Sequence, residues 1–125
     1  MAEFIELKDL EVYQIARKLS SIAWEIYSPL SFEQKKIIGD QFIRSVDSIG
    51  ANIAEGYGRY HSLDQVKFYL NTRASLFEAH YHWSELLQER AIIDMKQLDD
   101  ITELSKKLEI KLNNFIRVTR NRSKK

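Results

Sequence analysis

The sequence contains no cysteine, only one proline and only four glycines in 125 residues. Because cysteine is absent, disulfides, cysteine-ligated zinc and thiol catalysis are excluded. The scarcity of proline and glycine leaves little material for turns, which favours a few long helices over many short strands. The length fits one domain, predicted to span residues 1–125, and the hydrophobic share of 44% is that of an ordinary globular protein.

The chain also lacks long apolar runs and targeting signals. No run approaches the roughly 18 apolar residues of a membrane span. The first six residues have neither the basic region nor the apolar core of a signal peptide. We therefore expect a soluble, cytoplasmic protein with no membrane partner.

Three segments have the sequence of a helix start. Ser31, Ser62 and Asp94 each stand three residues before a glutamine, which is the spacing of a capping box. In that motif the first side chain accepts from the amide of the glutamine, and the glutamine reaches back to the cap amide. Each segment opens a stretch with helical apolar periodicity.

This periodicity predicts four long helices. The first begins near residue 9, and the others run over about 32–55, 63–89 and 95–118. Short connections between long helices of similar length make neighbours antiparallel. The predicted fold is therefore all-α, an antiparallel up-down-up-down four-helix bundle.

The first predicted helix is apolar over more than one face. One stripe consists of Leu10, Tyr13, Ala16, Ala23 and Tyr27, and a second consists of Val12, Ile15, Leu19, Ile22 and Ile26. This surplus has two interpretations. Either the helix is deeply buried in the bundle, or one stripe faces the core and the other faces a second subunit.

A polar stripe follows the second predicted helix beside its apolar one. Its members recur at spacings of three and four: Gln41, Ser45, Ser48, Asn52 and Glu55. On the third helix the candidate partners are Arg73, Ser75 and Glu78. The stripe is a solvated face, an interior network that sets helix register, or a ligand or nucleotide site centred on Asn52 and Glu55.

The sequence contains no recognisable catalytic or metal-binding motif. His80 and His82 are two residues apart, so on a helix they point to different sides. The Glu-x-x-His motif of di-iron bundles is absent, as is the nucleophile elbow of serine hydrolases. We predict no enzyme activity, no catalytic residues, no metal and no cofactor.

The glycine-containing segment 56–60 resembles a phosphate loop only superficially. It follows a helix instead of a strand and lacks a lysine, so a helix C-cap is the better interpretation. Tyr57 and Tyr60 flank Arg59 there. Such tyrosines either cover the end of a bundle or stack on nucleic-acid bases.

The net charge of +1 conceals an uneven distribution of charge. No acid follows Glu109, whereas six basic residues do: Lys111, Arg117, Arg120, Arg122, Lys124 and Lys125. The rest of the chain carries 13 positive against 18 negative side chains, or −5. The basic tail, at about 117–125, either complements the helix dipole and aids solubility, or binds a phosphate backbone.

Several of these residues carry a resemblance to a known family. In and directly after the second helix they are Gln41, Arg44, Ser48-Ile49, Asn52-Ile53-Ala54-Glu55-Gly56 and Gly58-Arg59, and in the third Phe68, Ser75-Leu76 and Glu78. On these motifs the chain resembles the 23S rRNA-intervening-sequence protein family over nearly its whole length. Four residues depart from the family pattern: Asp47, Asn71, Thr72 and Ala74.

The resemblance implies an antiparallel bundle that assembles into a ring-shaped homopentamer, with no established enzyme activity. A related branch, the accessory proteins of diversity-generating retroelements, forms basic rings that bind nucleic acid and reverse transcriptase. We hypothesise a self-assembling bundle that binds RNA or DNA through basic carboxyl-terminal arms, with Arg59 as a further candidate contact. The alternatives are a scaffold for a polypeptide partner with no nucleic-acid role, and a small-molecule site around Asn52, Glu55 and Glu78.

Overall fold

The computed structural model describes residues 5–123, and every regular element in this range is helical. A 3₁₀ turn at Leu7–Asp9 precedes helix α1 (Glu11–Tyr27). Helix α2 is continuous but changes pitch along its length. It comprises an α-helical turn Phe32–Gln34, a π-helical segment Lys35–Gly39 and a long α-helical segment Asp40–Tyr57.

Helix α3 has the same composite construction. It comprises α-helical Ser62–Phe77, π-helical Glu78–Ser84 and α-helical Glu85–Glu89. Helix α4, Met95–Arg122, is α-helical throughout. The prediction of an all-helical protein with four long helices is confirmed.

Cross-helix hydrogen bonds give the direction in which α2 runs against α1. The Tyr27 hydroxyl donates to Asp40 at 2.7 Å, and the Ser20 hydroxyl donates to Asp47 at 2.6 Å. Residue numbers fall along α1 as they rise along α2, so the two helices are antiparallel.

The same relationship holds between α3 and α4. Arg73 donates to the side-chain oxygen of Asn113 at 3.1 Å, and the His80 ring lies 3.3 Å from the Thr102 hydroxyl. Helices α2 and α3 also pack together, as do α4 and α1, which closes the four helices around one core. The structure is the predicted up-down-up-down bundle.

Apolar side chains from all four helices fill the centre of the bundle. Those fully or almost fully buried include Ile15, Leu19, Phe42, Ile49, Leu87, Leu108 and Leu112. Nine of the ten residues in the two apolar stripes of α1 are buried or packed against the core, and the tenth, Tyr27, is half-buried and donates to Asp40. The structure therefore supports deep burial of α1, and the double stripe gives no support for a subunit interface.

Two of the three predicted capping boxes are formed. Ser31 with Gln34, and Asp94 with Gln97, bond reciprocally as predicted. The prediction at Ser62 is wrong, because the extended residue before α3 is His61 and no side chain caps this helix. Since Ser62 already lies in the first helical turn, its hydroxyl is not placed to accept the amide three residues later.

Two helix ends lie beyond their predicted positions. Helix α2 ends at Tyr57, with Gly58 as its C-cap, so the C-cap interpretation of this segment is confirmed. The predicted end of α4 near Val118 is wrong, because the helix continues about one turn further to Arg122. Arginines in the last turn favour this extension, since they complement the carbonyl end of the helix.

Helices α2 and α3 approach closely at Gly56. A methyl group there would lie 2.7 Å from Cε1 of Tyr69 and 2.9 Å from Cβ of Phe68. Thr72, one of the departures from the family pattern, is fully buried and also lies against α2. Its hydroxyl donates to the Phe68 carbonyl at 3.1 Å, so the interface accommodates the extra polar group.

Candidate nucleic-acid interface

The polar stripe of α2 and its candidate partners on α3 face solvent over much of their length, although Ser45 of the stripe is buried and donates to the Phe42 carbonyl. Seven further polar residues of α2 and α3 belong to the family motif. Four of them are exposed, namely Gln41, Arg44, Glu55 and Glu78, and three are half-buried, namely Ser48, Asn52 and Ser75. Within residues 5–123, no hydrogen bond joins the side chains of any two of these seven residues.

The stripe is instead satisfied locally, within each helix. The Ser48 hydroxyl donates to the Ser45 carbonyl, and Asn52 donates to the Ser48 carbonyl at 2.9 Å. Glu78 accepts from the Trp83 indole at 2.6 Å. These bonds tie polar side chains to their own helix, and they do not build a convergent site between helices.

The three histidines do not meet. His61 and His82 are exposed, whereas His80 is buried beside Thr102. Burial lowers the pKa of His80 below the usual 6.5. In the described part of the chain, no three His, Asp or Glu side chains are grouped to hold a metal ion, and no helix there could cross a membrane.

The carboxyl end of α4 presents three exposed arginines. Arg117 and Arg120 are three residues apart and therefore adjacent on the helix surface, while Arg122 lies further round. Arg117 donates to the side chain of Asn114. Within residues 5–123, none of the three guanidinium groups is paired with an acid.

The other predicted basic contacts differ from these arginines. Lys111 forms an ion pair with Glu11 of α1 at 3.1 Å, so its charge is partly neutralised. Arg59 is paired with Glu55 at 2.7 Å, and its guanidinium lies 4.8 Å from the centre of the Phe68 ring. Lys124 and Lys125 lie outside the described residues.

Arg122 acts electrostatically on Tyr69 of α3. Burial raises the pKa of Tyr69 to about 12, and the neighbouring Tyr57 adds to the rise, while the positive charge of Arg122 opposes it. The positive charge at the end of α4 therefore acts on a buried side chain of α3.

The loop between α2 and α3 lies beside the end of α4. A cleft of about 500 Å³ is lined by Ser123 and by four consecutive residues, Tyr60 to Leu63. Sequence reasoning identified Tyr60 but missed His61 and Ser123. No local signal was available for them, because only the packing of α3 against α4 brings the two segments together.

The fold and its basic end define a class, a small antiparallel helical bundle with a positively charged terminus. The model of the 23S rRNA-intervening sequence protein family matches residues 8–114, and the chain belongs to that family. The family resemblance predicted from the motifs is confirmed. The match stops before Arg117, so the family assignment carries no information about the three arginines.

A solved structure supports the same assignment. The chain is similar to a protein of unknown function from the S23 ribosomal protein family of Bacteroides thetaiotaomicron, with 27% identity and a TM-score of 0.75. The similarity covers 83% of this chain and 96% of that one. Comparison with curated proteins finds no match.

Proposed function

We propose that this protein is a non-enzymatic bundle that binds RNA or DNA through the basic carboxyl end of α4. The observation that carries the proposal is the exposure of Arg117, Arg120 and Arg122 without acidic partners among the described residues. Guanidinium groups bind phosphate oxygens well, and an unpaired one has no ion pair to break first. Because α4 is helical as far as Arg122, the backbone that carries these side chains is part of a regular helix.

The proposal includes self-assembly into a ring-shaped homopentamer, which would gather the basic ends of several chains. A closed ring uses two different surfaces of each chain. One candidate lies on α3, where the rings of Phe77 and Tyr81 are 4.7 Å apart and Phe77 is 65% exposed. The other lies near the end of α1, where Trp24 is 58% exposed.

Titration with nucleic acid at several salt concentrations tests the binding proposal. In the test variant, Arg117, Arg120 and Arg122 are replaced by Gln. In the control, Lys18, Lys36 and Lys107 are replaced by Gln, which removes the same charge from exposed sites elsewhere. Substitution is preferable to truncation after Val118, because truncation would also remove the last turn of α4.

We expect the arginine variant to bind more weakly and with a flatter salt dependence. Each lost phosphate contact on duplex DNA reduces the slope of log affinity against log salt by about 0.9. The control should keep most of the slope. Equal binding by the arginine variant and the unchanged protein would contradict the proposal. In light scattering, a species of one 14.8 kDa subunit would contradict the ring.

A protein-interaction scaffold is the second candidate function. It is favoured by a groove of about 360 Å³ between α3 and α4, lined by apolar Leu70, Ala74 and Phe77 and by charged Arg73 and Glu109. Recovery of a stoichiometric polypeptide from nuclease-treated lysate, lost on Phe77→Ala, would support a scaffold. Its absence would count against one.

A further inference from the structure

We propose that the α2–α3 loop makes the basic end a binding site for unpaired nucleotides, with Tyr60 as the residue on which a base stacks. The inference rests on the proposed nucleic-acid binding and adds the substrate class. The observation behind it is that the exposed ring of Tyr60 lies in the same cleft as the end of α4.

The Tyr60 ring is available for stacking. Its side chain is 92% exposed, and the His61 ring lies beside it, edge-on at 5.0 Å and 89°. An aromatic face open to this extent provides a platform for a nucleobase of any identity. His61 is itself exposed and can donate a hydrogen bond to a phosphate or base.

Arg59, the residue before Tyr60, is anchored to both α2 and α3. Arg59 is held by Glu55 and by the face of Phe68, and its backbone amide donates to the Gly56 carbonyl at 3.0 Å. These contacts fix the position of the next residue and reduce the conformational entropy lost on binding. Arg59 is then a positioning residue for Tyr60, and its charge is partly neutralised by Glu55.

Arg120 and Arg122 lie within one helical turn of the same cleft. Ser123 lines the cleft together with Tyr60, and the Ser123 hydroxyl donates to the carbonyl of Arg120 at 2.7 Å. A strand whose phosphates contact Arg120 can therefore place a neighbouring base at Tyr60. Paired bases are stacked within their duplex, so only single strands, loops and ends offer a free face.

Isolated exposed aromatic residues are common, so exposure of Tyr60 alone does not identify a binding site. The chain offers a control, an exposed aromatic residue that lies away from the cleft. Phe32 is 80% exposed but lies at the other end of the bundle, at the start of α2. Tyr60→Ala, Tyr60→Phe and Phe32→Ala are each titrated with a short unstructured RNA strand and with the duplex of that strand. None of the substitutions changes the charge, so the salt slope is expected to stay constant.

We expect Tyr60→Ala to weaken binding of the single strand by at least about 5-fold, from the usual size of base–aromatic stacking. Tyr60→Phe should retain the affinity because it keeps the ring, and Phe32→Ala should have no effect. Duplex binding should be unchanged in all three variants. Circular dichroism identifies any variant that has lost its fold. If Tyr60→Ala is one of them, Tyr60→Phe still tests whether the ring without its hydroxyl is enough for single-strand binding.

Three outcomes overturn the inference. In the first, Tyr60→Ala binds the single strand as tightly as the unchanged protein. In the second, Tyr60→Ala loses as much affinity for the duplex as for the single strand. In the third, Phe32→Ala loses as much affinity for the single strand as Tyr60→Ala does. If the arginine variant loses binding while Tyr60→Ala does not, the proposed function stands and the stacking site fails. If the unchanged chain binds neither strand nor duplex, both fail.

Discussion

Asp47 accepts a hydrogen bond from the Ser20 hydroxyl at 2.6 Å, across the interface of α1 and α2. Asp47 stands where the family resemblance leads one to expect an apolar residue. The bond explains how the bundle tolerates a carboxylate at this position, because the departure on α2 has a polar partner on α1. The pair is exposed, so its contribution to stability is modest.

A double-mutant cycle on this pair should detect coupling. We expect Ser20→Ala and Asp47→Ala to interact by about 0.5–1 kcal/mol in the free energy of unfolding, the scale of one exposed hydrogen bond to a charged group. Urea unfolding of both single variants and the double variant measures it. A cycle with the neighbouring, exposed Ser21 serves as control and should give no coupling.

The three predicted helix starts should respond differently to the loss of their capping side chains. Ser31→Ala and Asp94→Ala each remove a side chain that accepts the amide three residues on, and each should cost about 1 kcal/mol of unfolding free energy. Ser62→Ala should change stability by less than about 0.5 kcal/mol, because no cap bond is lost. A cost at Ser62 equal to that at Ser31 would show that the serine caps α3 after all.

Two glycines of α2 should give opposite results when changed to alanine. Gly56→Ala places a methyl group against Tyr69 and Phe68 and should destabilise by about 1–3 kcal/mol through overpacking. At Gly50 the nearest atoms to an added methyl group are 3.8 Å away, on Tyr13 and Ala16. Gly50→Ala should therefore be neutral or stabilise by up to about 1 kcal/mol, since alanine is the better helix former. Thermal or urea unfolding of both variants decides, and a stabilising Gly56→Ala would contradict the close approach of α2 and α3.

Local patterns predicted the helices and the caps at Ser31 and Asp94, because these depend on residues within one or two turns. The cap at Ser62 failed because the same spacing is present whether the helix begins at Ser62 or one residue later. The end of α4 was placed too early because polar residues in a last turn look like a tail. In each case the error concerns a boundary and leaves the fold unchanged.

The candidate site was less accessible from sequence. The basic tail is visible as a run of charge, but the pairing of Lys111 with Glu11 depends on α4 packing against α1. Tyr60 and Ser123 lie far apart in the chain, and only the antiparallel return of α4 along α3 brings them to one cleft. Sequence spacing identifies side chains on one helix face, whereas a site built from two helix ends requires the packed bundle.

The π-helical segment of α3 places His80 inside the bundle, where it is 3% exposed. Burial lowers its pKa, and Lys106 acts in the same direction, while Glu85 and Glu109 oppose the shift. In the unfolded chain the imidazole takes up a proton near pH 6.5. Below that pH the unfolded state binds more protons than the folded state, so stability is complete above pH 6.5 and falls with acidification toward the lowered pKa.

His80→Gln should therefore flatten the pH dependence of stability on the acid side of pH 6.5. The measurement is the free energy of unfolding in urea at several values between about pH 7.5 and 5.5, a range above the ordinary titration of carboxylates. The slope of the unfolding free energy against pH is compared, and not the free energy itself, because the substitution also changes packing. His82→Gln is the matched control, since His82 lies two residues away but is exposed, and its variant should keep the slope of the unchanged protein. If His80→Gln keeps that slope as well, His80 is not the group that couples folding to protons in this range.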